Sequence, residues 1–390
     1  MSNPKIVIAG AGIAGLTCAL ALAQRGHSVR VHEVFDEPEE FGAGIQVPPN
    51  AWRVLDALGL ADALSLESIM FTTICLIDAH SGDIELQMPV NDDPGSITKF
   101  VAIQRAQLHM ILWKAVSENP LVEIMTSCKV QGAVEHSDHV EIICETPNGQ
   151  IVEKASVLIG ADGIWSNVRQ YVKGARQPVP TGRIALRAMV PSLFDNSEPH
   201  VTAWMGPKCH VVTYPVHTGS THNVVAIING AAHSGSWSQK LAGPLPEDLA
   251  VALSHLTPLD IDEVDFTRWP LYSVAPEGAW HSDRICLIGD AAHGMEPFAA
   301  QGAAMGIEDA YVLAKKLYEI GVENSQAAFE SYRAARLPRI KKVAKRTEFN
   351  RFAYHQSGIG RIVRNAVFKM RKPEDFISSL DWLYDFDATR

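Results

Sequence analysis

The first thirty residues show a strand, helix and strand pattern of apolar and polar positions. Residues 5–9 form an apolar run that predicts a buried strand, and an Ala- and Leu-rich stretch then predicts a helix to about Arg25. Gly26 would end that helix. Residues 28–32 predict a second strand. Strands that alternate with helices in this way favour an α/β fold with a parallel sheet.

The middle of the chain predicts further strands. Strand patterns cover residues 72–78 and 83–88. Alternation over residues 122–129, 140–145 and 151–154, with a Pro-Asn-Gly turn before the last segment, predicts a three-stranded meander.

The second half of the chain predicts a different sheet followed by helices. Residues 155–160 and 284–290 predict buried strands, and short alternating runs between residues 181 and 269 predict a second, antiparallel sheet. A long helix is expected from near Pro297 to about Ile320. From residue 326 onward the chain is basic and helical, and its charges are expected mostly on a solvated face.

The turn after the first strand carries a glycine pattern that suits a phosphate group. Gly10, Gly12 and Gly15 fit G-x-G-x-x-G, with Ala14 inside the same turn. Such a turn lets backbone amides approach a pyrophosphate at a helix N-terminus, whose dipole favours anions. Glu33 follows the glycines by about 20 residues, where a carboxylate can accept hydrogen bonds from the adenosine ribose. The order of these elements predicts a dinucleotide site over the alternative of a structural glycine turn.

Charge narrows the class of partner. The chain has 390 residues, with 34 Lys and Arg against 44 Asp and Glu, for a net charge of −10. This balance argues against nucleic acid or an anionic membrane as the main partner. The length is sufficient for two packed domains.

Cysteine usage and hydropathy indicate a reduced, cytoplasmic protein. The six cysteines are scattered and form neither a C-x-x-C motif nor a metal-binding spacing. Residues 6–23 are small or apolar, as in a signal peptide, but their glycines fit the nucleotide pattern instead. No other segment approaches a membrane span.

A second glycine motif follows the late buried strand. Gly289 removes a side chain at the strand end, and Asp290 can accept a hydrogen bond from a polyol hydroxyl such as that of a ribityl chain. A helix N-terminus there would stabilise the anionic reduced form of a flavin. The alternative is an ordinary turn in which Asp290 caps a helix. The free amides of the following helix are expected at Gln301, Gly302 and Ala303.

Three ordered motifs resemble those of the single-component FAD-dependent aromatic hydroxylases. They are the glycine turn at residues 10–15, Ala-Asp-Gly at residues 161–163, and Gly-Asp-Ala-Ala-His at residues 289–293 with Pro297 and Gln-Gly beyond. Gly-Ala-Gly-Ile at residues 42–45, Pro-Asn-Ala at 49–51 and Trp-Pro-Leu-Tyr at 269–272 are similar to the branch that includes the salicylate, 3-hydroxybenzoate and 6-hydroxynicotinate enzymes. The resemblance covers nearly the whole chain.

This resemblance implies a Rossmann-like FAD-binding domain of the glutathione-reductase type. A substrate domain with an antiparallel sheet and a C-terminal helical segment would complete the fold. The expected boundaries are residues 1–70, 100–178 and 270–325 for the FAD domain, 71–99 and 179–269 for the substrate domain, and 326–390 for the helical segment.

The resemblance also implies cofactor contacts beyond the glycine motifs. Arg105, at a predicted helix start, resembles the family's arginine near the FAD phosphates. Asp162 is expected near the pyrophosphate and is linked to the use of reduced nicotinamide, and Gly44 is expected in a loop that contacts the cofactor. No separate nicotinamide-binding unit is evident, so NADH or NADPH is expected as a transient co-substrate.

Two candidate catalytic residues follow from a narrower resemblance. The pattern His-x-x-x-Tyr-Pro at residues 210–215 resembles the hydroxynicotinate-type enzymes, in which the histidine acts as a base. Positions 210 and 214 of a strand share a face, so His210 and Tyr214 are expected to point together toward the substrate ring. The alternative is a histidine satisfied in the core.

Three further residues are candidates for substrate contact. Arg187 is a possible partner for a substrate carboxylate, since a planar guanidinium matches that group, with a structural ion pair as the alternative. Gln46 stands where the hydroxynicotinate enzymes have a histidine, which leaves the substrate open. Pro297 is expected to shape the apolar wall over the flavin.

The implied activity is hydroxylation of a phenolic or N-heteroaromatic acid with FAD, NAD(P)H and O2 through a flavin C4a-hydroperoxide. Decarboxylation would accompany an ipso attack. The alternatives are a same-fold urate-type hydroxylase, N-hydroxylase or epoxidase, and, further away, a non-catalytic dinucleotide-binding regulator. The protein is expected to be a monomer or homodimer that binds a small aromatic molecule.

Overall fold

The computed structural model describes residues 6–37, 43–90, 99–191, 199–216, 219–230, 239–240, 245–254 and 264–390, so Gly42 of the expected loop motif lies outside it. Within these ranges the strands β1 to β19 are, in chain order, Ile6–Ala9, Val29–His32, Gly44–Val47, Ile69–Met70, Thr73–Asp78, Ile84–Pro89, Val101–Gln104, Val122–Met125, Lys129–Glu135, Val140–Thr146, Gly149–Ala155, Val157–Gly160, Val179–Pro191, His200–Gly206, Cys209–Val216, Thr221–Asn229, Gln239–Lys240, Thr267–Ser273 and Ile285–Leu287.

The α-helices α1 to α11 in the same ranges are Ile13–Ala23, Pro49–Ala57, Ala61–Glu67, Arg105–Ser117, Glu247–Ser254, Asp290–His293, Gly302–Ile320, Ser325–Tyr354, Gly358–Met370, Pro373–Ser378 and Asp381–Tyr384. Short 3₁₀ helices span Val168–Tyr171, Pro297–Ala299 and Val322–Asn324. In this described part of the chain, no helix has both the length and the apolar composition of a membrane span.

A five-stranded parallel sheet joins strands from the N-terminal half of the chain with β19 from the C-terminal half. Its strand order is β19-β12-β1-β2-β8, and every neighbouring pair is parallel. Strands β1, β12 and β19 are buried along their whole length, because helices and the meander cover both faces of a parallel sheet. The α/β prediction is confirmed, and the two strands with the glycine motifs, β1 and β19, lie on either side of β12.

The predicted meander has a different first strand. Residues 122–125 form β8 at the edge of the parallel sheet, and the antiparallel meander consists of β9, β10 and β11. The two segments are separated at Ser127, whose φ of 49° turns the chain between them. The continuous alternation over residues 122–129 concealed that turn, so the predicted assignment was wrong.

An eight-stranded sheet forms the second half of the molecule, in the order β17-β18-β13-β16-β15-β14-β5-β6. Its pairs are antiparallel except β14 with β5, which is parallel and corrects the prediction of a wholly antiparallel sheet. Side chains alternate between its faces. Residues such as Val211 and Ala226 pack with helix α5 on one face, while their neighbours Val212 and Val225 face a cavity on the other. The expected domain boundaries stay a prediction.

A buried polar group joins the parallel sheet to the meander. His32 Nε2 contacts the carboxylate of Glu153, which also accepts a hydrogen bond of 2.5 Å from Arg30. Burial lowers the pKa of His32, but hydrogen bonds with the thiols of Cys128 and Cys144 and with Glu153 outweigh it and raise that pKa to about 11. His32, Cys128 and Cys144 bring possible metal ligands together, although no spacing in the sequence predicted it. The contacts of His32 with Glu153 and the two thiols all lie within the protein core, and we assign the group to packing.

All six cysteines have free thiols and are buried, as the sequence predicts. Burial raises the pKa of the thiols of Cys18 and Cys286 above the ordinary range. These thiols therefore remain protonated and act as small apolar side chains of the core.

Helices α7 and α8 are joined by a fully buried cluster of charges. Arg336 donates to Glu308 at 2.5 Å and to Asp309 at 2.7 Å, and Arg339 donates to both oxygens of Glu308. The prediction that charges of the C-terminal segment face solvent is wrong for these two arginines, of which Arg336 is fully buried. Nothing in the sequence of α8 distinguishes them from its exposed basic residues, because their partners lie about 30 positions earlier.

We expect Arg336→Met to lower the free energy of unfolding by about 3–5 kcal/mol, since it leaves buried carboxylates without their partner. Lys345→Met on the exposed side of the same helix is the matched control, with an expected change within about 0.5 kcal/mol. Chemical denaturation of both variants checks the difference. Equal stability of the two variants would contradict the assignment of Arg336 as the main counter-charge of Glu308 and Asp309.

Candidate active site

One cavity of about 490 Å³ lies between the parallel sheet and the eight-stranded sheet. One wall is made of backbone-rich segments: the glycine turn after β1, the segment around Gly289 after β19, and the start of α7. The opposite wall is made of side chains from the inner face of the eight-stranded sheet. This size is typical of a small-molecule or cofactor pocket.

The glycine turn is shaped by two contacts that a side chain would prevent. A Cβ atom at Gly15 would lie 1.9 Å from the carbonyl oxygen of Gly10, and one at Gly10 would lie 2.6 Å from that of Ala161. Gly10 also has a φ of +99°. A Cβ at Gly12, in contrast, would meet nothing within 4 Å and would project into the cavity. Gly10 and Gly15 are therefore required by the fold, whereas Gly12 leaves space for a ligand.

Glu33 and Ala14 both contact the residues of the glycine motifs. The carboxylate of Glu33 accepts a hydrogen bond of 2.7 Å from the amide of Ala11, which places it directly beside the glycines. Its other oxygen accepts from the amide of Phe35 at 3.1 Å. The Cβ of Ala14 lies 3.3 Å from the position that a Cβ atom at Gly289 would take, so the two glycine motifs are in contact.

The segment after β19 presents a carboxylate to the cavity. Asp290 lies at the first turn of α6, and burial raises its pKa, although His293, Arg105 and Arg169 act in the opposite direction. The amide of Gly289 donates to buried Asp309 at 3.0 Å, which holds the turn in place. Asp290 is thus placed where it lines the cavity, and its expected contact with a polyol stays a prediction.

Arg105 begins helix α4, as predicted, and its guanidinium lines the cavity. Burial lowers its pKa, which the charge of Asp290 partly offsets. A cation that lines a cavity and has no carboxylate paired with it among the described residues favours an anionic ligand such as a phosphate.

Asp162 has a local structural partner. Its Oδ2 accepts hydrogen bonds from the amides of Asn167 at 2.8 Å and Val168 at 3.1 Å, and so caps the 3₁₀ helix that follows. Burial raises its pKa despite these bonds. Its Oδ1 is buried without a hydrogen-bond partner in the described residues. Asp162 is not among the residues that line the cavity, although its neighbours Ala161 and Gly163 are. Its expected contact with the pyrophosphate stays a prediction.

The start of α7 differs from the predicted continuous helix. Pro297–Ala299 form a 3₁₀ turn, Ala300 has a φ of +50°, and the α-helix begins only at Gly302. Pro297, Gly302 and Ala303 line the cavity. Gln301 is buried, and its side chain accepts from Asn50 at 3.0 Å instead. The left-handed residue turns the chain just before the helix start, where Gly302 and Ala303 line the cavity.

The opposite wall brings together the predicted substrate residues. His210 and Tyr214 project from the same face of β15 into the cavity and are 2% and 5% exposed. Burial raises the pKa of Tyr214, and the nearby charge of Arg187 reduces that effect. Burial also lowers the pKa of His210, and His355 adds to the effect. Both groups are therefore neutral at physiological pH.

Arg187 lies two strands away from His210 and Tyr214. Backbone pairing aligns it with Val225 and then Val212, which is a spacing of about 10 Å across the sheet. Its Nε is buried and has no hydrogen-bond partner among the described residues, and its guanidinium lies 5.7 Å from the ring centre of Trp269. Burial lowers the pKa of Arg187, and repulsion by Arg105 lowers it further. Gln46 of β3 lines the same cavity.

The sequence did not indicate one neighbour of the site. His355, which follows the last residue of α8, lies with its Nε2 3.0 Å from the Nδ1 of His210. The two histidines are 145 positions apart, and no motif in the sequence links them.

Gly44 connects the two walls. Its amide donates to the side chain of Asn223 at 2.7 Å, and a Cβ at this position would lie 2.7 Å from the ring of Tyr214. The next residue back, Ala43, accepts a hydrogen bond of 2.8 Å from the amide of Arg105. The loop that carries Gly44 is therefore fixed to the cofactor side and the substrate side at once.

These features fit an extended dinucleotide with a substrate beside it. The glycine cradle is open at Gly12 and Gly302, Asp290 offers an acceptor, and Arg105 offers a cation. The fold and the site together define a dinucleotide-binding α/β enzyme whose substrate cavity is closed by a second sheet.

Comparison with known proteins identifies the class. The chain belongs to the family described as "FAD binding domain", whose model matches residues 3–347. It is 34% identical over 388 residues to 3-hydroxybenzoate 6-hydroxylase 1 of Aquipseudomonas alcaligenes, with 97% of each chain covered. It is 30% identical over 361 residues to 6-hydroxynicotinate 3-monooxygenase of Pseudomonas fluorescens, which covers 88% of this chain and 90% of that one. The chain is thus a member of the FAD-dependent aromatic hydroxylases.

The fold agrees with solved structures. A salicylate hydroxylase substrate complex matches with a TM-score of 0.80 and 24% identity, over 99% of this chain and 96% of that chain. A structure of Klebsiella pneumoniae HpxO with FAD and uric acid also matches with a TM-score of 0.80, at 22% identity, over 97% and 95% of the two chains. These likenesses confirm the predicted architecture.

The glycines separate a folding effect from a binding effect. We expect Gly12→Ala to leave the thermal stability of the FAD-free protein nearly unchanged and to weaken FAD binding at least about tenfold, because its methyl group enters the cofactor space. Gly15→Ala is expected to destabilise the FAD-free protein itself, because its methyl group overlaps a carbonyl. Thermal unfolding without FAD and fluorescence titration with FAD distinguish them. Identical behaviour of the two variants would contradict this division of roles.

Proposed function

We propose that this protein uses NADH or NADPH and O2 to hydroxylate an aromatic or N-heteroaromatic acid that carries a hydroxyl group. The observation that supports this proposal is the inner face of the eight-stranded sheet. There a histidine, a tyrosine and an arginine whose Nε has no hydrogen-bond partner among the described residues line one cavity opposite the glycine motifs. The relatives named above act on hydroxybenzoate and hydroxynicotinate, which have the same combination of groups.

Arg187 is the proposed carboxylate site. A half-buried guanidinium whose Nε is buried and has no partner in the described chain favours an anion that can accept two parallel hydrogen bonds. Trp269 beside it offers an apolar surface that excludes water from the pair. An acid would also offset the repulsion between Arg187 and Arg105.

His210 is the proposed base. Its Nδ1 is bonded to His355, which leaves Nε2 as the nitrogen that can accept the hydroxyl proton of a substrate in the cavity. Removal of that proton makes the ring electron-rich and so reactive toward an electrophilic oxygen. Tyr214, on the same face, would donate to the resulting oxyanion and hold it in position.

The remaining residues hold the cofactor and exclude water. Bound FAD would supply the redox chemistry that takes electrons from the nicotinamide and activates O2. The glycine turn, Arg105 and Asp290 would hold its phosphates and polyol chain. Pro297 and the apolar side chains of the sheet keep the reacting atoms out of bulk water.

The test follows NADH and NADPH oxidation by the FAD-loaded protein with salicylate, hydroxybenzoates, hydroxynicotinates and urate, together with product analysis. We expect one hydroxylated acid to accelerate oxidation and to yield a product with one more oxygen on the ring. Stimulation by urate alone would favour the urate-type alternative. A protein that takes up FAD but responds to none of these compounds would contradict the proposal.

We expect Arg187→Gln to raise the KM for the acid substrate about 10- to 100-fold, because a charged hydrogen-bonding partner contributes about 1.5–3 kcal/mol. The corresponding phenol without its carboxylate is the internal control, and its KM should stay within about threefold of the wild-type value. Steady-state kinetics with both compounds provide the measurement. An equal change for acid and phenol would show that Arg187 does not recognise the carboxylate.

The pH dependence of kcat/KM follows from the environment of His210. A base must be neutral to accept a proton, and burial holds the pKa of His210 well below its ordinary value. The acidic limb of the profile that belongs to this base should therefore lie below about pH 6.5, the range of an unperturbed histidine. Profiles with substrates whose own ionisation lies outside the range provide the check. A limb above about pH 7 would count against His210 as the base.

A further inference from the structure

The base proposed above is one member of a pair of histidines. The Nδ1 of His210 lies 3.0 Å from the Nε2 of His355, and the two ring centres are 5.2 Å apart. Phe298 packs against both rings, at 4.9 Å from His210 and 5.5 Å from His355. The pair is thus held in a fixed geometry by aromatic contacts and by one hydrogen bond.

The two histidines differ in their access to solvent. His210 is 2% exposed and faces the cavity, whereas His355 is only half-buried and follows the end of α8. The hydrogen bond therefore connects an enclosed base to a group that can exchange protons with water.

The surroundings do not favour a lasting positive charge on either ring. Burial lowers the pKa of His355 to about 4, with further contributions from Arg183 of β13 and Arg351 of α8. Arg183 is itself paired with Glu296 at 2.5 Å, so that carboxylate is engaged elsewhere. Tyr354 of α8 packs against His210 at 5.4 Å between ring centres and offers no charge at neutral pH, since burial raises its pKa. A proton taken up by His210 must therefore leave promptly.

We propose that His355 is the outward half of a proton relay that carries the substrate's hydroxyl proton from the cavity to water. This inference rests on the proposed function. The substrate O–H bond breaks as His210 gains a proton at Nε2. The Nδ1 proton of His210 passes to Nε2 of His355, which releases its own Nδ1 proton to water. One proton leaves, both rings end neutral, and the reverse movement on the product oxyanion restores both tautomers.

His355 can also act by favouring one tautomer of His210, and this effect can be separated from proton transfer. His210 can accept at Nε2 only while its proton is on Nδ1, and the acceptor nitrogen of His355 favours that tautomer. A glutamine at this position can still accept the hydrogen bond but cannot pass the proton on. Comparison of alanine and glutamine variants therefore separates positioning from relay.

The test uses the FAD-loaded full-length protein and 3-hydroxy-4-nitrobenzoate, a carboxylated phenol whose ionisation changes its visible absorbance. Rapid mixing without nicotinamide, at a pH where the free phenol is protonated, measures how fast the bound phenol loses its proton. We expect His355→Ala to slow this step about 10- to 100-fold with little change in the Kd of the probe. Imidazole in the buffer should restore the rate, because the half-buried position is open to solvent.

His355→Gln should bind the probe as the wild type does and remain slow, and His136→Ala, at an exposed histidine of the meander, is the control without effect. A wild-type rate of proton loss in His355→Ala would overturn the relay. A wild-type rate in His355→Gln would also overturn it, because it would show that His355 only positions His210. If His355→Ala does not retain FAD, the rate of proton loss in His355→Gln decides whether the relay proposal stands. The proposed function fails separately if His210→Asn ionises the probe at the wild-type rate.

Discussion

The buried charge cluster of Glu308, Asp309 and Arg336 is the constraint on which the cofactor side of the molecule depends. Asp309 accepts hydrogen bonds from the amide of Gly289 at 3.0 Å and from His293 at 2.5 Å, and so fixes the turn that presents Asp290. Glu308 accepts from Asn50 at 2.6 Å, and Asn50 also donates to Gln301 at the start of α7. Segments more than 250 residues apart are thereby tied to two neighbouring carboxylates. Burial raises the pKa of Asp309, but His293 and Arg336 outweigh it and hold that pKa below its usual range, so the cluster stays ionised.

The two walls of the cavity use different kinds of structure. The cofactor wall consists of turns and a helix start, where backbone amides and missing side chains create the surface. Such a wall depends on conformation, and a few glycines specify it. The substrate wall consists of side chains on a rigid sheet, so its chemistry can change one residue at a time without altering the fold. This arrangement explains how relatives of about 30% identity share an architecture and carry names that refer to different aromatic acids.

What the sequence predicts follows the same division. The parallel sheet, both glycine motifs and the shared face of His210 and Tyr214 are local patterns with fixed periodicity, and each appears in the structure. The meander was misassigned because a single left-handed serine interrupts an otherwise continuous alternation. Partners that meet only in three dimensions could not be predicted, such as Arg336 with Asp309 or His210 with His355. Their residue types are common, and only tertiary packing selects them.

Gly44 has a consequence for how the enzyme responds to its ligands. Because its amide is held by Asn223 and its missing side chain admits the ring of Tyr214, neither wall can shift at this point without the other. A substrate that moves Tyr214 must also move the loop whose neighbour, Ala43, accepts from the amide of Arg105. Under the function proposed above, such a movement would couple the affinity for substrate to the affinity for FAD, because linkage requires each ligand to change the binding of the other by the same factor. A single missing methyl group thus provides the physical link through which an aromatic acid can signal its presence to the cofactor.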